Sequence, residues 1–132
     1  MGLIIDTSVF IKAERQAKAD LAAFLPAGEE VGLCTITVSE LFEGVHLAKY
    51  AARAADRREF IEQFALVLPV FDFGMKTAFE HARLRAKQRQ LGKMIGAHDL
   101  IIAATAVSLG WEVLTFNAAE FRQVEELRVR EA

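Results

Sequence analysis

Short apolar runs alternate along this chain with longer segments that have helical periodicity. The runs lie at residues 2–5, 31–34, 66–71 and 112–115, and a further candidate strand lies at 127–129. Parallel strands need a crossover of a dozen or more residues between them, which is usually a helix. The alternation therefore predicts a three-layer α/β/α fold, with a short central parallel sheet of four to five strands covered by helices.

Three of the connecting segments show the periodicity of amphipathic helices. Apolar residues recur at intervals of three and four in residues 38–50 and again in 54–66, so each segment is expected to bury one face. A longer helix is predicted over residues 75–90. Its expected apolar stripe consists of Met75, Phe79, Ala82 and Ala86.

The remaining helices are shorter or almost wholly apolar. Thr7 or Ser8 can cap a helix that follows the first strand, and another helix is expected near residues 17–25. Residues 98–109 are mostly apolar, which predicts a helix buried between the sheet and its neighbours. Gly110 follows this helix and suits the left-handed conformation that often ends one.

The composition fits one compact domain over residues 1–132. Hydrophobic residues make up 53% of the chain, which argues against disorder. The longest nearly unbroken apolar run, 100–107, is too short to cross a bilayer, and residues 1–6 lack the basic start of a signal peptide. The single Cys34 cannot form an internal disulfide and is expected to be a buried thiol. We therefore expect a cytoplasmic protein without a membrane partner.

Three acidic residues occur at or after the ends of predicted strands. Asp6 directly follows the first strand, Glu40 lies after the second, and Asp99 begins the apolar helix 98–109. Ligands of open α/β sheets bind outside the carboxyl ends of the strands, so these side chains are expected to meet there. Clustered carboxylates repel one another unless a hard divalent cation neutralises them. The pattern indicates an enzyme that uses Mg²⁺ or Mn²⁺ on a phosphate-containing substrate.

Each acid also has a simpler structural interpretation. Asp6 is at a position where aspartate often only caps a helix or forms a turn. Glu40, with Glu43 one turn later, is compatible with a solvated helix face. Asp99 can serve the helix dipole alone. The three together are more informative than any one of them. The net charge of −2 provides no general attraction for nucleic acid, but it does not exclude a metal that contacts phosphate.

A further polar segment follows the predicted strand at 112–115. Asn117 can cap a short helix, with Glu120 at the capping-box position three residues later. The functional alternative places Asn117 or Glu120 at the rim of the same carboxylate pocket. Both interpretations stay open from the residues alone.

The histidines and basic residues are less informative. His46, His81 and His98 have no HxxxH or HxH spacing, so a zinc site is not expected. Basic side chains cluster along helix 75–90 and the loop after it. They are Arg83, Arg85, Lys87, Arg89 and Lys93. This run is either a solvated helix face or a track for an RNA backbone, with Arg85 and Arg89 as candidate contacts.

Four stretches occur in order along nearly the whole chain: Ile4–Phe10, Ser39–Gly44, His98–Ala104 and Thr115–Phe121. They resemble the motifs of PIN-domain ribonucleases, most closely those of the VapC-type toxins of toxin–antitoxin pairs. The resemblance implies a PIN-like fold and an endoribonuclease that hydrolyses RNA with a water activated by Mg²⁺ or Mn²⁺. The implied products carry 5′-phosphate and 3′-hydroxyl ends.

The resemblance also implies roles for individual residues. The implied metal ligands are Asp6, Glu40 and Asp99. The fourth acidic position of the family maps to Glu120, with Asn117 as a recurrent polar neighbour, and which of the two approaches the metal stays open. Thr7 and Thr115 match hydroxyl residues that orient the acids in the family.

The implied partners are RNA, a second copy in a homodimer and a small VapB-type antitoxin, which commonly lies across the toxin groove. Ten phenylalanines are consistent with an apolar groove between helices 38–50 and 54–66, and equally with an ordinary core. The alternative function is a PIN-like module that binds RNA or protein without cutting, although the complete acidic set argues against it. A phospho-receiver domain is disfavoured, because Asp6 stands alone and no lysine follows Lys93.

Overall fold

A single parallel sheet runs through the centre of the computed structural model, which describes residues 1–16 and 21–132. In these ranges the strands are β1 (Gly2–Ile5), β2 (Glu30–Cys34), β3 (Val70–Phe71), β4 (Glu112–Thr115) and β5 (Val129–Glu131). Their order across the sheet is β3-β2-β1-β4-β5, and all neighbouring pairs are parallel. The predicted α/β class and short central sheet are confirmed.

Helices connect the strands and cover both faces of the sheet. Within the described residues they are α1 (Thr7–Arg15), α2 (Thr35–His46), α3 (Ala51–Ala65), α4 (Met75–Leu91), α5 (Ala97–Leu109) and α6 (Ala118–Phe121). The helix predicted near 17–25 is covered only in part: residues 17–20 lie outside the described residues, and Leu21–Phe24 forms a 3-10 turn. No helix in the described ranges is long and apolar enough to cross a membrane.

The two faces of the sheet form two separate cores, because successive side chains of a strand point in opposite directions. On one face, Leu3 and Ile5 pack with residues of α1, α2 and α3. On the other face, Ile4 packs with α4, α5 and the segment around α6. All three β1 side chains are fully buried, so β1 forms the centre of the sheet.

Helix α5 is buried as its composition predicts. Leu100, Ile102 and the alanines that follow have almost no exposed surface. Gly110 ends the helix with a φ of 69°, the left-handed conformation that glycine adopts without steric cost. The buried thiol of Cys34, at the end of β2, is also confirmed. Burial raises the pKa of this thiol to about 11, so it stays protonated.

The apolar stripe that was predicted to be the buried face of α4 is exposed to solvent. Met75 and Phe79 are 73% and 70% exposed, and the two alanines of the stripe are exposed as well. The buried side chains of this helix are Thr77, Leu84 and Gln88. Gln88 can be buried because its amide donates to the Gln123 carbonyl and accepts from the amide of Ile95. The buried face of α4 is therefore partly polar, which a search for apolar periodicity does not detect.

Several predicted boundaries are shifted. Helix α2 begins at Thr35 rather than residue 38 and ends at His46 rather than residue 50. Helix α3 starts three residues before the predicted residue 54. The fifth strand covers Val129–Glu131 instead of 127–129. Three residues at the start of α2 carry branched side chains, Thr35, Ile36 and Thr37, which have low helix propensity and therefore mask the true start.

Candidate functional site

The candidate site lies at the topological switch point of the sheet, where the strand order changes direction. From β1 the chain proceeds to β2 and β3 on one side, and then returns to β4 and β5 on the other. The carboxyl ends of β1 and β4 are therefore neighbours whose following segments diverge, which leaves a crevice between them. The backbone amide of Asp6, directly after β1, donates to the Leu114 carbonyl of β4 at 2.9 Å.

Asp6 is held by two hydroxyl groups. Ser8 Oγ donates to Asp6 Oδ2 at 2.6 Å, and Thr115 Oγ1 donates to the same oxygen at 2.8 Å. The carboxylate is 4% exposed. The predicted cap by Thr7 or Ser8 is wrong: α1 begins at Thr7, Asp6 occupies the cap position, and no side chain makes a capping hydrogen bond. The Thr7 hydroxyl contacts Glu40, and the Ser8 hydroxyl contacts Asp6 and accepts from the Phe116 amide, so neither of them caps α1.

Glu40 is brought to the same edge by the second turn of α2. Thr7 Oγ1 donates to Glu40 Oε1 at 2.8 Å and lies 3.1 Å from Thr37 Oγ1. The other oxygen of Glu40 is 3.6 Å from Nδ1 of His98. Thr7 therefore connects the helix after β1 to the helix after β2, and it fixes the orientation of the Glu40 carboxylate.

Glu120 has partners for both of its oxygens. The Gly96 amide donates to Oε1 at 3.0 Å, and Asn117 Nδ2 donates to Oε2 at 2.7 Å. Of the two interpretations that the sequence left open, the capping box is not formed, because the Asn117 side chain binds Glu120 rather than a backbone amide. The Gly96 amide lowers the pKa of Glu120 below its usual value; burial opposes this shift, and the Asn117 amide adds to it. Asn117 thus positions Glu120.

Asp99, in the first turn of α5, faces the other three acids. Burial and the negative charges of Asp6, Glu120 and Glu40 raise the pKa of its carboxyl to about 7. Asp99 and Glu120 are also hydrogen-bonded to each other. A Cβ placed on Gly96 would lie 3.6 Å from both Asp99 Oδ2 and Glu120 Oε1, which shows that this loop borders the pair.

This set of carboxylates fits a hard divalent cation. All donors are oxygens, which suit Mg²⁺, Mn²⁺ or Ca²⁺ rather than a soft metal. Among residues 1–16 and 21–132, no group of three His, Cys, Asp or Glu side chains is already arranged closely enough to hold a metal ion. Burial first, and then the negative charges of Asp6, Glu120 and Glu40, raise the pKa of Asp99, so a cation at this edge would favour its ionised form.

The basic run of α4 is divided between two faces. Arg83 pairs with Glu80 and Glu126, and Lys87 lies 3.3 Å from Glu125. Arg85 and Arg89 are exposed and line a shallow surface depression with His81, Ala82 and Ala86. No salt bridge among the described residues involves these two arginines. Their charges are available to a ligand, whereas those of Arg83 and Lys87 are already neutralised.

A cleft between α1, α2 and α3 reaches Glu40. Its apolar wall consists of Ile11, Leu41, Phe60 and Ile61, and Glu14, Arg15 and Arg57 make the rest of it polar. Arg57 spans the cleft, donating to Glu14 Oε1 at 3.1 Å and to the Gly44 carbonyl at 2.8 Å. Phe10 and Phe64 instead stack in the core with ring centroids 4.3 Å apart. The phenylalanines thus contribute mainly to the core and only in part to this groove.

Three groups that contact the acids or the hydroxyls beside them were missed in the sequence. Ser8 holds Asp6, Thr37 lies beside the Thr7 hydroxyl, and the Gly96 amide binds Glu120. Ser8 and Thr37 are two and three residues from predicted acids, so hydroxyls at these spacings were a usable signal. The Gly96 amide gives no such signal, because every residue except proline carries a backbone amide.

Comparison with known sequences agrees with this architecture. The sequence profile of the PIN domain matches residues 3–127, so the chain belongs to the PIN domain family. Ribonuclease VapC of Rickettsia bellii is 32% identical over 129 residues, which cover 98% of this chain and 95% of that protein. The tRNA(fMet)-specific endonuclease VapC of Salmonella typhimurium is 28% identical over 99 residues, or 75% of this chain and 73% of that protein.

Solved structures show the same fold. VapBC2 from Rickettsia felis, bound to a DNA fragment from its promoter, contains a chain that superposes with a TM-score of 0.87 at 24% identity, covering 100% of this chain and 99% of that one. VapBC-5 from Mycobacterium tuberculosis, a member of the VapBC family of toxin–antitoxin systems, gives a TM-score of 0.80 at 28% identity and covers 99% and 98%.

Proposed function

We propose that this chain, as a single domain over residues 1–132, is a metal-dependent endoribonuclease and the toxin of a toxin–antitoxin pair. One observation carries the proposal: Asp6, directly after β1, and carboxylates from α2, α5 and α6 converge at the crevice between β1 and β4, where the Asp99 pKa rises to about 7. Such an arrangement is costly for stability and is expected at a functional site. The VapC ribonucleases among its relatives support the same activity.

The proposed metal is Mg²⁺ or Mn²⁺. Its proposed ligands are Asp6, Glu40, Asp99 and Glu120. Both hydroxyls on Asp6 bind Oδ2, so we assign Oδ1 to the cation. Glu120 already has a donor on each oxygen, so it is the ligand expected to act through water, and Asn117 holds it in place.

The reaction is hydrolysis of an RNA phosphodiester bond, with 5′-phosphate and 3′-hydroxyl products. A bound divalent cation supplies positive charge for the phosphate and makes water a stronger nucleophile near neutral pH. Thr7 and Thr115 keep the Glu40 and Asp6 carboxylates oriented, so little rearrangement is needed when substrate arrives. Burial and the neighbouring negative charges disfavour the ionised form of Asp99. A bound cation would offset these charges and favour the ionised carboxylate.

The proposed macromolecular partners each have a candidate surface. Arg85 and Arg89 are the proposed contacts to the RNA backbone, since their charges have no partner among the described residues. The exposed stripe of Met75 and Phe79 is the proposed homodimer contact, because exposed apolar patches commonly mark interfaces.

The cleft beside Phe60 is the proposed path of a VapB-type antitoxin segment, as it ends at Glu40. We place the enzyme in the cytoplasm because its substrate is cellular RNA.

Cleavage of total cellular RNA by the purified protein tests the activity. We expect discrete fragments with Mg²⁺ or Mn²⁺, none with EDTA, and none from an Asp99→Asn variant. Asp56→Asn, at an exposed position of α3, is the matched control and should cleave like the wild type. Metal binding without cleavage, in protein shown to be free of inhibitor, would favour a non-cleaving PIN-like module. Absence of metal binding would refute the proposal.

A further inference from the structure

Phe116 is an exposed aromatic side chain directly beside the acidic cluster. It follows Thr115, which binds Asp6, and precedes Asn117, which binds Glu120. Its side chain is 42% exposed, although apolar residues at the end of a buried strand commonly turn inward. The exposed part of the ring is therefore available to a ligand, next to two residues that hold the acids in place.

The backbone that carries this ring is fixed on both sides. The amide of Phe116 donates to Ser8 Oγ at 3.1 Å, and the next amide, of Asn117, donates to Thr115 Oγ1 at 2.8 Å. Both hydroxyls in turn donate to Asp6. The position of Phe116 is thus coupled to that of Asp6 through single hydrogen-bonded groups, and the ring has a defined place relative to the site of hydrolysis.

Two further side chains complete the surface. The ring of Phe24 meets that of Phe116 edge-on, with centroids 5.8 Å apart and an interplanar angle of 78°. Lys12 Nζ lies 5.5 Å from the centroid of the Phe116 ring. No salt bridge among the described residues involves Lys12. An aromatic ring, braced at its edge and accompanied by an available positive charge, is the combination that binds single-stranded nucleic acid.

We propose that Phe116 is a stacking platform for an unpaired RNA base next to the scissile phosphate, and that Lys12 contacts the adjoining backbone phosphate. The proposal rests on the ribonuclease function above. A phosphate placed over the acidic cluster brings the flanking nucleotide to the rim of the crevice, where this ring is. Stacking on an aromatic ring is available only to a base that has left a duplex, so the surface selects single-stranded or looped RNA.

Charge favours RNA over a peptide at this position. The rest of the crevice is acidic and repels the phosphates that flank the cleavage point, so a nearby cation is needed to hold the strand. Lys12 provides one without disturbing the carboxylates, because among the described residues it is paired with the Phe116 ring rather than with an acid. A peptide that inserts a basic side chain among the acids would gain nothing from Lys12.

The test compares RNA binding by variants that carry Asp99→Asn, so that the probe is not cut. Two fluorescein-labelled probes are used: a short single-stranded RNA of random sequence, and the same backbone with abasic residues. Phe116→Ala should weaken binding of the normal RNA by about 5- to 150-fold. It should leave binding of the abasic strand unchanged. Phe116→Trp should retain affinity, whereas Phe116→Leu, which keeps apolar bulk but has no aromatic face, should lose it.

Phe73→Ala is the matched control, because Phe73 is similarly exposed but follows β3, two strands from β1. Lys12→Gln should reduce the dependence of log Kd on log salt by about 0.7, the value for one phosphate contact on a single strand. With Asp99 intact, Phe116→Ala should raise KM for RNA cleavage and leave kcat nearly unchanged. Equal binding of normal RNA by the wild type and Phe116→Ala would overturn the platform, as would equal losses on the abasic strand. Failure of the wild type to cleave would instead refute the ribonuclease proposal.

Discussion

The carboxyl group of Asp99 is hydrogen-bonded to the carboxylate of Glu120, although the two residues lie on different helices, α5 and α6. Their pKa values move in opposite directions. Burial, with the charges of neighbouring acids, raises that of Asp99 to about 7, whereas the Gly96 amide lowers that of Glu120. The carboxyl group of Asp99 is therefore partly protonated near neutral pH, and the charge of the pair depends on pH.

The first prediction concerns the stability of the metal-free protein. Asp99 has a pKa near 7 when folded and near 3.8 when unfolded, so between these values the folded state binds more protons. Stability must then fall as pH rises through this window. Because Asp99 is partly exposed, we expect a loss of about 1–2 kcal/mol between pH 5 and pH 8 in EDTA. Mg²⁺ should reduce this loss.

Urea unfolding at the two pH values measures the effect. Asp99→Asn should remove most of the pH dependence and raise stability at pH 8, while Asp56→Asn should retain the wild-type slope. Glu120 does not obscure the result, since its lowered pKa places its own contribution below this window. A metal-free wild type that is as stable at pH 8 as at pH 5 would contradict the charge assignment.

The second prediction concerns Thr115, whose buried hydroxyl orients Asp6 and accepts a hydrogen bond from the Asn117 amide. Thr115→Val should lower RNA cleavage by about 10- to 100-fold, the usual effect of losing a group that orients a metal ligand. It should also destabilise the fold by about 1–3 kcal/mol, because the buried Asp6 carboxylate loses a hydrogen-bond donor. Thr115→Ser should retain most of the activity.

Thr105→Val separates activity from stability in the same assay. Thr105 is equally buried, but its hydroxyl donates to the Ile101 carbonyl within α5. This variant should be modestly less stable and fully active. If Thr115→Val and Thr105→Val lose activity to the same extent, the hydroxyl of Thr115 has no specific role at the site.

The sheet and the acidic crevice were predictable for related physical reasons. Buried parallel strands are uniformly apolar, and α5 is buried on nearly all sides, so both leave an unbroken hydrophobic signal. Asp6 and Asp99 follow or precede such segments directly, which places them at the sheet edge without any knowledge of tertiary structure. Placing Glu40 at the same edge of the sheet required the further inference that α2 follows β2 closely.

What the sequence did not reveal depends on contacts between distant segments. Leu84, on the buried face of α4, has fewer apolar neighbours along the helix than Met75 and Phe79 have, so apolar periodicity favoured the wrong side. The capping interpretation of Asn117 does not hold because the Glu120 carboxylate gives the Asn117 side-chain amide a charged acceptor. In α4 and at Asn117, contacts with distant residues of the folded chain outweigh the local preferences that a sequence pattern measures.

A third prediction tests the two faces of α4 directly. Leu84→Ala should lower the free energy of unfolding by about 2–5 kcal/mol, because a fully buried leucine leaves a cavity. Phe79→Ala should change it by less than about 0.5 kcal/mol per monomer, since Phe79 is exposed. If the exposed stripe forms the homodimer contact, Phe79→Ala should raise the dimer dissociation constant in sedimentation experiments. An unchanged dimer would place that interface elsewhere.

The fourth prediction uses the division of the basic run on α4. Arg85 and Arg89 are free of described acidic partners, whereas Arg83 and Lys87 are paired with Glu80, Glu125 and Glu126. Removing a cation that contacts phosphate releases fewer counterions on binding, so the salt dependence becomes shallower. We expect the double variant Arg85→Ala and Arg89→Ala to reduce the slope of log Kd against log salt by about 1.4 for single-stranded RNA.

The matched control is the double variant Arg83→Ala and Lys87→Ala, which removes the same formal charge from the same helix. Its two side chains are already neutralised, so the slope should remain close to that of the wild type. Both measurements belong in the Asp99→Asn background, with affinity determined at several salt concentrations. Equal slopes for the two double variants would mean that helix α4 attracts RNA only through its total charge, and that Arg85 and Arg89 form an ordinary solvated face.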